Sequence, residues 1–192
     1  MPKYAVLVVD MLEDFIHGNL KCERAERIIQ PLKTLLDAAR RYGFPVVYCN
    51  DAHRPDIDAE FELWGPHAID GTPGSQVIEE LKPEEGDFIV KKRRYSGFFQ
   101  TDLHLLLREL GVDTVIVTGL HTNICVKHTT SDAFNWGFKI IIPKDCVEAF
   151  SEEDHKWGLS YMEKVYGAKI TESAEVISLF RNLATRTRNN LS

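Results

Sequence analysis

Polar side chains capable of chemistry stand directly after short apolar segments of this sequence. They are Asp10, Asp51, His53, Lys92 and Cys125. A thiol, a carboxylate and a lysine in one crevice suit acyl transfer, because the thiol can attack a carbonyl carbon while the carboxylate shuttles the proton and the lysine orients that carboxylate. Taken singly, Asp10 is typical of a turn or capping residue and Lys92 of a solvated charge. Their joint presence with Cys125 favours an acyl-transfer site.

The context of Cys125 predicts an activated thiol. Residues 114–118 are all β-branched, which indicates a strand buried on both faces, and Gly119 ends that strand. Thr122 or Asn123 can cap the helix that follows, which places Cys125 in its first turn. The helix dipole and the unpaired N–H groups there favour a thiolate, so we expect a thiol pKa below that of a free cysteine, and they can also hold an oxyanion. The alternative interpretation is an inert buried cysteine.

Asp51, His53 and the more distant His67 offer one carboxylate oxygen and two imidazoles. This set suits zinc, iron or manganese and leaves positions open for water or substrate. The Asp-x-His spacing is a weak signal, since alternate residues of any extended segment share a side, and each histidine alone is more typical of a structural role. His67 lies in a long stretch rich in Asp, Pro and Gly, residues 54–74, and loops of such length are usually functional.

Apolar segments alternate with helical patterns along the chain. The predicted strands are residues 4–9, 46–50, 87–90, 114–118, 138–142 and 168–170. This alternation predicts an α/β protein with a three-layer α/β/α Rossmann-like fold and a six-stranded, mostly parallel sheet. In such sheets ligands bind outside the carboxyl ends of the strands, where the strand order reverses. The candidate residues should therefore converge there.

Composition narrows the class of protein. A chain of 192 residues with 44% apolar residues predicts one domain, residues 1–192, of which we expect 181–192 to form a frayed tail. A net charge of −6 argues against nucleic acid or a membrane as a partner. No apolar run approaches the roughly 20 residues that span a bilayer and no signal peptide is recognisable, so we expect a cytoplasmic protein.

We expect reduced thiols at all four cysteines, Cys22, Cys49, Cys125 and Cys146.

Short motifs occur throughout the chain from Val8 to Ala168. They are Val9-Asp10-Met11, Asp14-Phe15, Asp51-Ala52-His53, Trp64-Gly65-Pro66-His67, Gly71-Thr72-Pro73-Gly74, Lys92-Arg93-Arg94-Tyr95-Ser96-Gly97-Phe98 and Gly119-Leu120-His121-Thr122-Asn123-Ile124-Cys125-Val126. Together they resemble the isochorismatase-like cysteine hydrolases, and within them the nicotinamidases, also called pyrazinamidases.

The resemblance implies a catalytic triad. Cys125 would be the nucleophile, Asp10 the proton shuttle and Lys92 its partner. It also implies a cis peptide between Leu120 and His121, so that the backbone N–H groups of His121 and Cys125 form the oxyanion hole.

The same resemblance implies a divalent metal and a ring pocket. The metal, zinc or alternatively iron or manganese, would be held by Asp51, His53 and His67, and the ring nitrogen of the substrate would point at it. Phe15 and Trp64 would form the aromatic walls of the pocket, although ordinary core packing explains these two residues equally well without the resemblance.

The activity implied is hydrolysis of nicotinamide to nicotinate and ammonia through a cysteine thioester. The alternative is a related hydrolase of N-carbamoyl, ureido or other linear amides, similar to N-carbamoylsarcosine amidase, and a third interpretation is a non-catalytic reactive-thiol or metal-binding module. The implied partners are a small amide substrate and further copies of the chain. Leu12, Glu13 and His121 stand where many relatives have glutamine, asparagine and a small residue. Each is a candidate to reshape the pocket.

Overall fold

A parallel sheet of seven strands forms the middle layer of residues 3–189, the part of the chain that this computed structural model describes. Every pairing between its strands is parallel. The main strand order is β3-β2-β1-β4-β5-β7, and β6 pairs with the end of β4. The strands are β1 (Tyr4–Val9), β2 (Val46–Asp51), β3 (Phe88–Lys92), β4 (Thr114–Leu120), β5 (Lys139–Pro143), β6 (Val147–Glu148) and β7 (Lys169–Thr171).

The prediction of an α/β fold with a mostly parallel sheet is confirmed, and the sheet contains one strand more than expected. The additional strand, β6, has only two residues and follows a 3-10 turn, Lys144–Cys146, directly after β5. A pair of residues carries no period-two pattern, so hydrophobic periodicity does not reveal it. It matters for the site because Glu148 in β6 pairs with Leu120 at the end of β4.

Helices cover both faces of the sheet. They are α1 (Glu13–Ile16), α2 (Glu26–Tyr42), α3 (Phe61–Trp64), α4 (Leu103–Glu109), α5 (Cys125–Asn135), α6 (Glu152–Tyr166) and α7 (Ser173–Asn189). Strand β1 shows the layering, since its side chains alternate between two separate cores. Val6 and Val8 pack in a core with residues of α2 and α7, whereas Leu7 and Val9 pack in a core with residues of α4, α5 and α6.

The helix ends follow local sequence rules. Helix α2 buries an apolar stripe that includes Leu32 and Leu36 and ends at Gly43, whose φ of 77° is in the left-handed region that favours glycine. Helix α6 is capped at its N-terminus by Ser151, whose hydroxyl accepts the N–H of Asp154 at 3.0 Å. Helix α7 continues through Asn189, within the segment 181–192 expected to fray, and residues 190–192 lie outside the described residues.

None of the helices within residues 3–189 combines the length and the hydropathy that crossing a bilayer requires.

Candidate active site

The structure brings Asp10, Lys92 and Cys125 together at the carboxyl edge of the sheet. Asp10 follows β1, Lys92 ends β3 and Cys125 opens α5 just after β4. Strands β1 and β4 are neighbours at the point where the strand order reverses, which is where ligands bind in open parallel sheets. All three side chains are buried. The Cys125 Sγ and one carboxylate oxygen each of Asp10 and Asp51 lie within 4.8 Å of one another.

One buried ammonium group holds two buried carboxylates. Lys92 Nζ lies 2.7 Å from Asp10 Oδ2 and 2.6 Å from Asp51 Oδ1. The backbone N–H of Asp51 donates to Asp10 Oδ1 at 2.8 Å, which fixes the second oxygen of that carboxylate. Each buried carboxylate thus contacts a positive charge, as burial of ionised groups requires, but the two carboxylates share one ammonium group.

Burial and mutual charge move the proton affinities of these groups apart. Burial and the negative charge of Asp51 raise the pKa of Asp10 to about 7, against the opposing effect of Lys92. For Asp51, burial raises the pKa, but Lys92 and His53 outweigh burial and lower it to about 2. Burial lowers the pKa of Lys92, yet the two carboxylates prevail and hold it well above its ordinary value. Asp10 is thus the carboxyl group that can gain and lose a proton near neutral pH.

The expectation of a lowered thiol pKa at Cys125 is wrong. Burial raises the pKa of this thiol well above its ordinary value, and the attraction of Lys92 is opposed by the negative charges of Asp10 and Asp51. These effects outweigh the helix position, although Cys125 does lie in the first turn of α5 as predicted. The resting group is a protonated thiol, so its attack on a carbonyl requires a base.

The turn between β4 and α5 is shaped by its backbone. Gly119 has a φ of 97°, and a Cβ there would lie 2.0 Å from the carbonyl oxygen of Val9, so only glycine fits. The peptide between Leu120 and His121 is cis, as the resemblance implies. The first helical turn leaves the N–H of Cys125 without an intrahelical acceptor, next to the His121 backbone. This is the arrangement in which an oxyanion hole is expected.

The capping prediction for α5 is wrong. The N-cap residue is Ile124, without a side-chain cap, rather than Thr122 or Asn123. The Thr122 hydroxyl lies 3.0 Å from Nδ1 of His155 instead, and the Thr122 N–H donates to the carbonyl of Glu148 in β6 at 2.8 Å. Hydrogen bonds to His155 and Glu148, which are distant in sequence, therefore hold this turn instead of a side-chain cap within it.

Asp51, His53 and His67 form a buried group whose candidate ligand atoms lie within 4.8 Å of one another. The Nδ1 of His67 lies 2.8 Å from the carbonyl oxygen of Gly65. A carbonyl only accepts, so Nδ1 carries the proton and Nε2 is left with a lone pair. That tautomer is the one in which Nε2 can bind a metal.

A carboxylate behind His53 fixes the orientation of its ring. Nδ1 of His53 lies 3.2 Å from Asp58 Oδ2, and the Asp58 carboxylate also accepts the N–H of Arg54 at 2.7 Å. The guanidinium of Arg93 pairs with the same carboxylate and holds the pKa of Asp58 well below its usual range. Ligating histidines in metal sites usually have such a carboxylate partner.

Sequence reasoning missed Glu60. Its Oε2 lies 3.2 Å from Nε2 of His53, which is also 3.6 Å from Asp51 Oδ2. This buried nitrogen makes no hydrogen bond within the part of the chain that the structure describes. Asp51, His53 and His67 offer one carboxylate oxygen and two imidazole nitrogens, and Glu60 adds a carboxylate beside His53, so the residues fit a divalent metal. The only signal in the sequence was an acidic residue in the long loop between the two histidines.

Aromatic rings line a narrow pocket beside Cys125. Phe15 lies edge-on to His121 at 5.7 Å between ring centroids, and Phe150 stacks on both His121 at 4.0 Å and Trp64 at 6.2 Å. Trp64 also donates to the hydroxyl of Tyr95 at 3.1 Å. The pocket, which Asp51, Glu60 and His67 line as well, has a volume of about 20 Å³. Phe15 and Trp64 thus lie at the site, together with Tyr95, which belongs to one of the motifs quoted above, and Phe150, which carried no clear signal in the sequence.

Comparisons with known proteins agree on one family. The family model described as the isochorismatase domain matches residues 4–175. The N-carbamoylsarcosine amidase of Thermoplasma acidophilum is 43% identical, with a TM-score of 0.83 over 89% of this chain and 96% of that chain. The nicotinamidase PncA of Bacillus subtilis is 37% identical, with a TM-score of 0.84 over 88% of this chain and 99% of that chain. The pyrazinamidase of Pyrococcus horikoshii, solved in complex with zinc, is 31% identical, with a TM-score of 0.83 over 89% of this chain and 99% of that chain.

The family match spans most of the chain, and the three similar structures are covered almost completely. The prediction of a hydrolase of the isochorismatase-like superfamily is therefore confirmed at the level of the family. The chain belongs to the isochorismatase family.

Proposed function

We propose that this protein is a cysteine amidohydrolase that converts nicotinamide to nicotinate and ammonia. The observation that carries the proposal is the position of Cys125, Asp10 and Lys92 at the carboxyl edge of the sheet. There they lie beside both the group of candidate metal ligands and the aromatic pocket. A flat heteroaromatic amide suits such a site, because it requires an aromatic slot, an electrophile for its ring nitrogen and a nucleophile at its carboxamide carbon.

In the first half-reaction, the Cys125 Sγ attacks the carboxamide carbon while Asp10 takes the thiol proton. The N–H groups of His121 and Cys125 receive the developing oxyanion. The tetrahedral intermediate then expels ammonia, which leaves with the proton that Asp10 returns to the amide nitrogen. A thioester on Cys125 remains.

In the second half-reaction, water attacks the thioester carbonyl and gives its proton to Asp10. The carbon–sulfur bond breaks, the acid is released, and Sγ recovers the proton from Asp10. Lys92 supports both halves by holding the Asp10 carboxylate in place and by stabilising its ionised form. An Asp10 pKa near 7 suits a group that must act alternately as base and acid.

Asp51, His53 and His67 would hold a divalent metal, with Glu60 as a further oxygen ligand. When bound, this metal supplies an electrophile that orients the ring nitrogen of the substrate. We propose zinc, because one carboxylate and two imidazoles with an open position suit it, and because the similar P. horikoshii pyrazinamidase was solved with zinc. Phe15 and Trp64 would be the walls of the ring slot.

The second candidate is hydrolysis of a linear N-carbamoyl or ureido amide by the same triad. The 43% identity with the N-carbamoylsarcosine amidase of T. acidophilum supports it.

Ammonia release tests the proposal. The purified protein is assayed with nicotinamide and with N-carbamoylsarcosine, before and after chelation and again after addition of zinc, iron or manganese. Release from nicotinamide that chelation abolishes and metal restores supports the proposed substrate and metal site. Release only from N-carbamoylsarcosine, whatever the metal, supports the second candidate. No release from either amide contradicts both and favours a reactive-thiol or metal-binding module.

A further inference from the structure

A buried network of side chains lies behind the turn that carries the proposed oxyanion hole. The hydroxyl of Thr122, the residue after His121, lies 3.0 Å from Nδ1 of His155 in α6. That nitrogen is 3.6 Å from Oε1 of Glu148 in β6. Thr122 and Glu148 are buried, and only 14% of the His155 side chain is exposed. These three side chains lie outside the pocket lining and have no part in the chemistry described so far.

An arginine at the other end of this network holds the Glu148 carboxylate. Nε of Arg24 lies 3.1 Å from Oε1 of Glu148, and Nη2 of Arg24 donates to Oε2 at 3.2 Å. The backbone N–H of Ala149 donates to the same Oε1 at 2.9 Å. A two-point contact between a guanidinium and a carboxylate fixes the orientation of both groups. The Glu148 side chain therefore has one fixed orientation beside His155.

Backbone contacts hold the same turn from the same side. The carbonyl of Glu148 accepts the N–H of Thr122 at 2.8 Å. Gly158 in α6 packs so closely on the turn that a Cβ at this position would lie 3.1 Å from the carbonyl carbon of Thr122. Residues 148–158 thus form a continuous support for the backbone at Thr122.

The proposed oxyanion donors are backbone N–H groups, so their direction depends on the position of the turn. The N-cap of α5, Ile124, has no side-chain cap that would fix the start of the helix locally. Preorganised donors act by pointing in advance to the place where charge develops, and a displacement of about 1 Å can cost about a hundredfold in rate. A hydrogen bond that anchors Thr122 therefore also sets the direction of the N–H groups of His121 and Cys125.

We infer that His155 is a positioning residue for the oxyanion hole, which it holds in place by anchoring the hydroxyl of Thr122. The Arg24–Glu148 ion pair supports the imidazole from the side facing away from the pocket. The inference rests on the proposed amide hydrolysis by Cys125, but it applies to nicotinamide and to a linear amide alike. It assigns part of the transition-state stabilisation to a helix that contributes no residue to the pocket lining.

The first test measures kcat and KM in the wild type, His155→Leu and His155→Asn at equal zinc content, with whichever of nicotinamide and N-carbamoylsarcosine the wild type hydrolyses. His155→Leu removes the partner of Thr122, and we expect kcat to fall at least about tenfold, less than the roughly hundredfold loss that follows removal of an oxyanion donor itself. KM should stay within about twofold, because the network acts on the transition state and not on the bound substrate. His155→Asn places an amide where Nδ1 lies and should recover most of the rate. An unchanged kcat in His155→Leu overturns the inference.

A control variant and a double variant complete the kinetic test. His104→Leu, which removes a histidine stacked on Trp136 away from the pocket, should match the wild type. Thr122→Val removes only the hydroxyl and should lower kcat by a factor similar to that of His155→Leu. The double variant should be no slower than either single variant, because both changes remove the same hydrogen bond. Independent, multiplying effects in the double variant contradict the inference.

Alkylation of Cys125 separates the oxyanion hole from the nucleophile. Iodoacetamide reacts with a thiol by displacement of iodide, and no oxyanion forms. His155→Leu should therefore be alkylated at the wild-type rate although its kcat is low, and mass spectrometry quantifies the modified peptide. An alkylation rate that falls in parallel with kcat would place the defect at the thiol and overturn the inference.

The last test does not depend on turnover. Hydrogen–deuterium exchange of the backbone is followed by mass spectrometry in residues 119–126 and, as control, in strand β2. We expect His155→Leu to speed exchange at least about threefold in residues 119–126 alone, the effect of losing one hydrogen bond of typical strength. Unchanged exchange in this segment, or equal acceleration in β2, overturns the inference even where no amide is hydrolysed. Faster exchange confined to 119–126 without turnover by the wild type would instead contradict the proposed function alone.

Discussion

Nζ of Lys92 lies 2.6 Å from Oδ1 of Asp51, the residue directly opposite it in the register of β2 and β3. The same ammonium group also lies 2.7 Å from Oδ2 of Asp10, which follows β1 on the other side of β2. Asp10 is the proposed base, and Asp51 is a proposed metal ligand. One buried positive charge therefore links the proposed triad with the proposed metal site, and the two are expected to respond together when either is altered.

Replacing Lys92 by Met should destabilise the fold as well as abolish activity. It leaves two buried carboxylates without their counter-charge, for which a loss of about 3–5 kcal/mol in unfolding free energy is typical. Urea denaturation measures the loss. Lys91→Met is the matched control, because Lys91 is exposed and pairs with Asp70 at the surface, so a change within about 0.5 kcal/mol is expected.

A double variant separates charge from packing. Lys92→Met combined with Asp10→Asn removes one of the two carboxylates, and it should recover part of the stability that Lys92→Met loses. If Lys92→Met is as stable as Lys91→Met, the buried ion pairs do not have the role assigned to them.

The rate should rise with pH through the pKa of Asp10. Burial and the charge of Asp51 raise this pKa to about 7, and Asp10 accepts the thiol proton only as a carboxylate. We expect kcat/KM to climb from pH 5.5 towards pH 8 with a midpoint near 7, measured at fixed metal loading. A profile that is flat over this range would rule out Asp10 as the titrating base.

Stability should show the opposite trend. A carboxyl group whose pKa is higher in the folded than in the unfolded chain binds its proton more tightly when folded, so its contribution to stability is greatest at low pH and falls as pH rises through about 7. Asp10→Asn cannot ionise. Its unfolding free energy should therefore improve relative to the wild type between pH 5.5 and pH 8, and a difference that does not change with pH would contradict the raised pKa.

Metal content should depend on His67 and Glu60. We expect the wild type to retain one zinc ion per chain after dialysis, His67→Ala to lose it, and Glu60→Gln to bind zinc about 10 to 100 times more weakly, the usual scale for groups that support a metal site. Elemental analysis and competition with a chelating dye measure this without any assay of activity. His128→Ala is the control, because that half-buried histidine donates to the carbonyl of Ile124 outside the cluster. Equal zinc affinity in all four proteins would contradict the site.

Removal of the outer aromatic wall should weaken substrate binding. Trp64 stacks on Phe150 and is partly exposed at the pocket, so Trp64→Ala should raise KM for nicotinamide about tenfold, in line with the one to three kcal/mol that a hydrophobic pocket contact contributes, and change kcat little. Trp157→Ala, which removes an exposed ring stacked on Tyr161 in α6, should leave KM unchanged. A fall in kcat with constant KM would assign Trp64 a different role.

The positions of Asp10, Lys92 and Cys125 could be predicted from the sequence because each lies at or just past the carboxyl end of a recognisable strand, and parallel strands bring their carboxyl ends to one edge. Glu60 and Phe150 could not, since they reach the pocket from loops whose course depends on tertiary packing. The thiol pKa of Cys125 was predicted in the wrong direction for the same reason. The helix position is local and visible in the sequence, whereas the burial and the neighbouring carboxylates that outweigh it arise only in the folded chain.

The most direct measurement is ammonia release from nicotinamide by the wild type and by Cys125→Ala, assayed side by side with the same zinc content. Cys146→Ala serves as control, because it also removes a buried thiol but lies outside the pocket. If Cys125 is the nucleophile, the wild type and Cys146→Ala release ammonia while Cys125→Ala is slower by at least about 10⁴-fold, the scale seen when a triad nucleophile is removed. Ammonia release by Cys125→Ala at the wild-type rate would contradict the thioester mechanism.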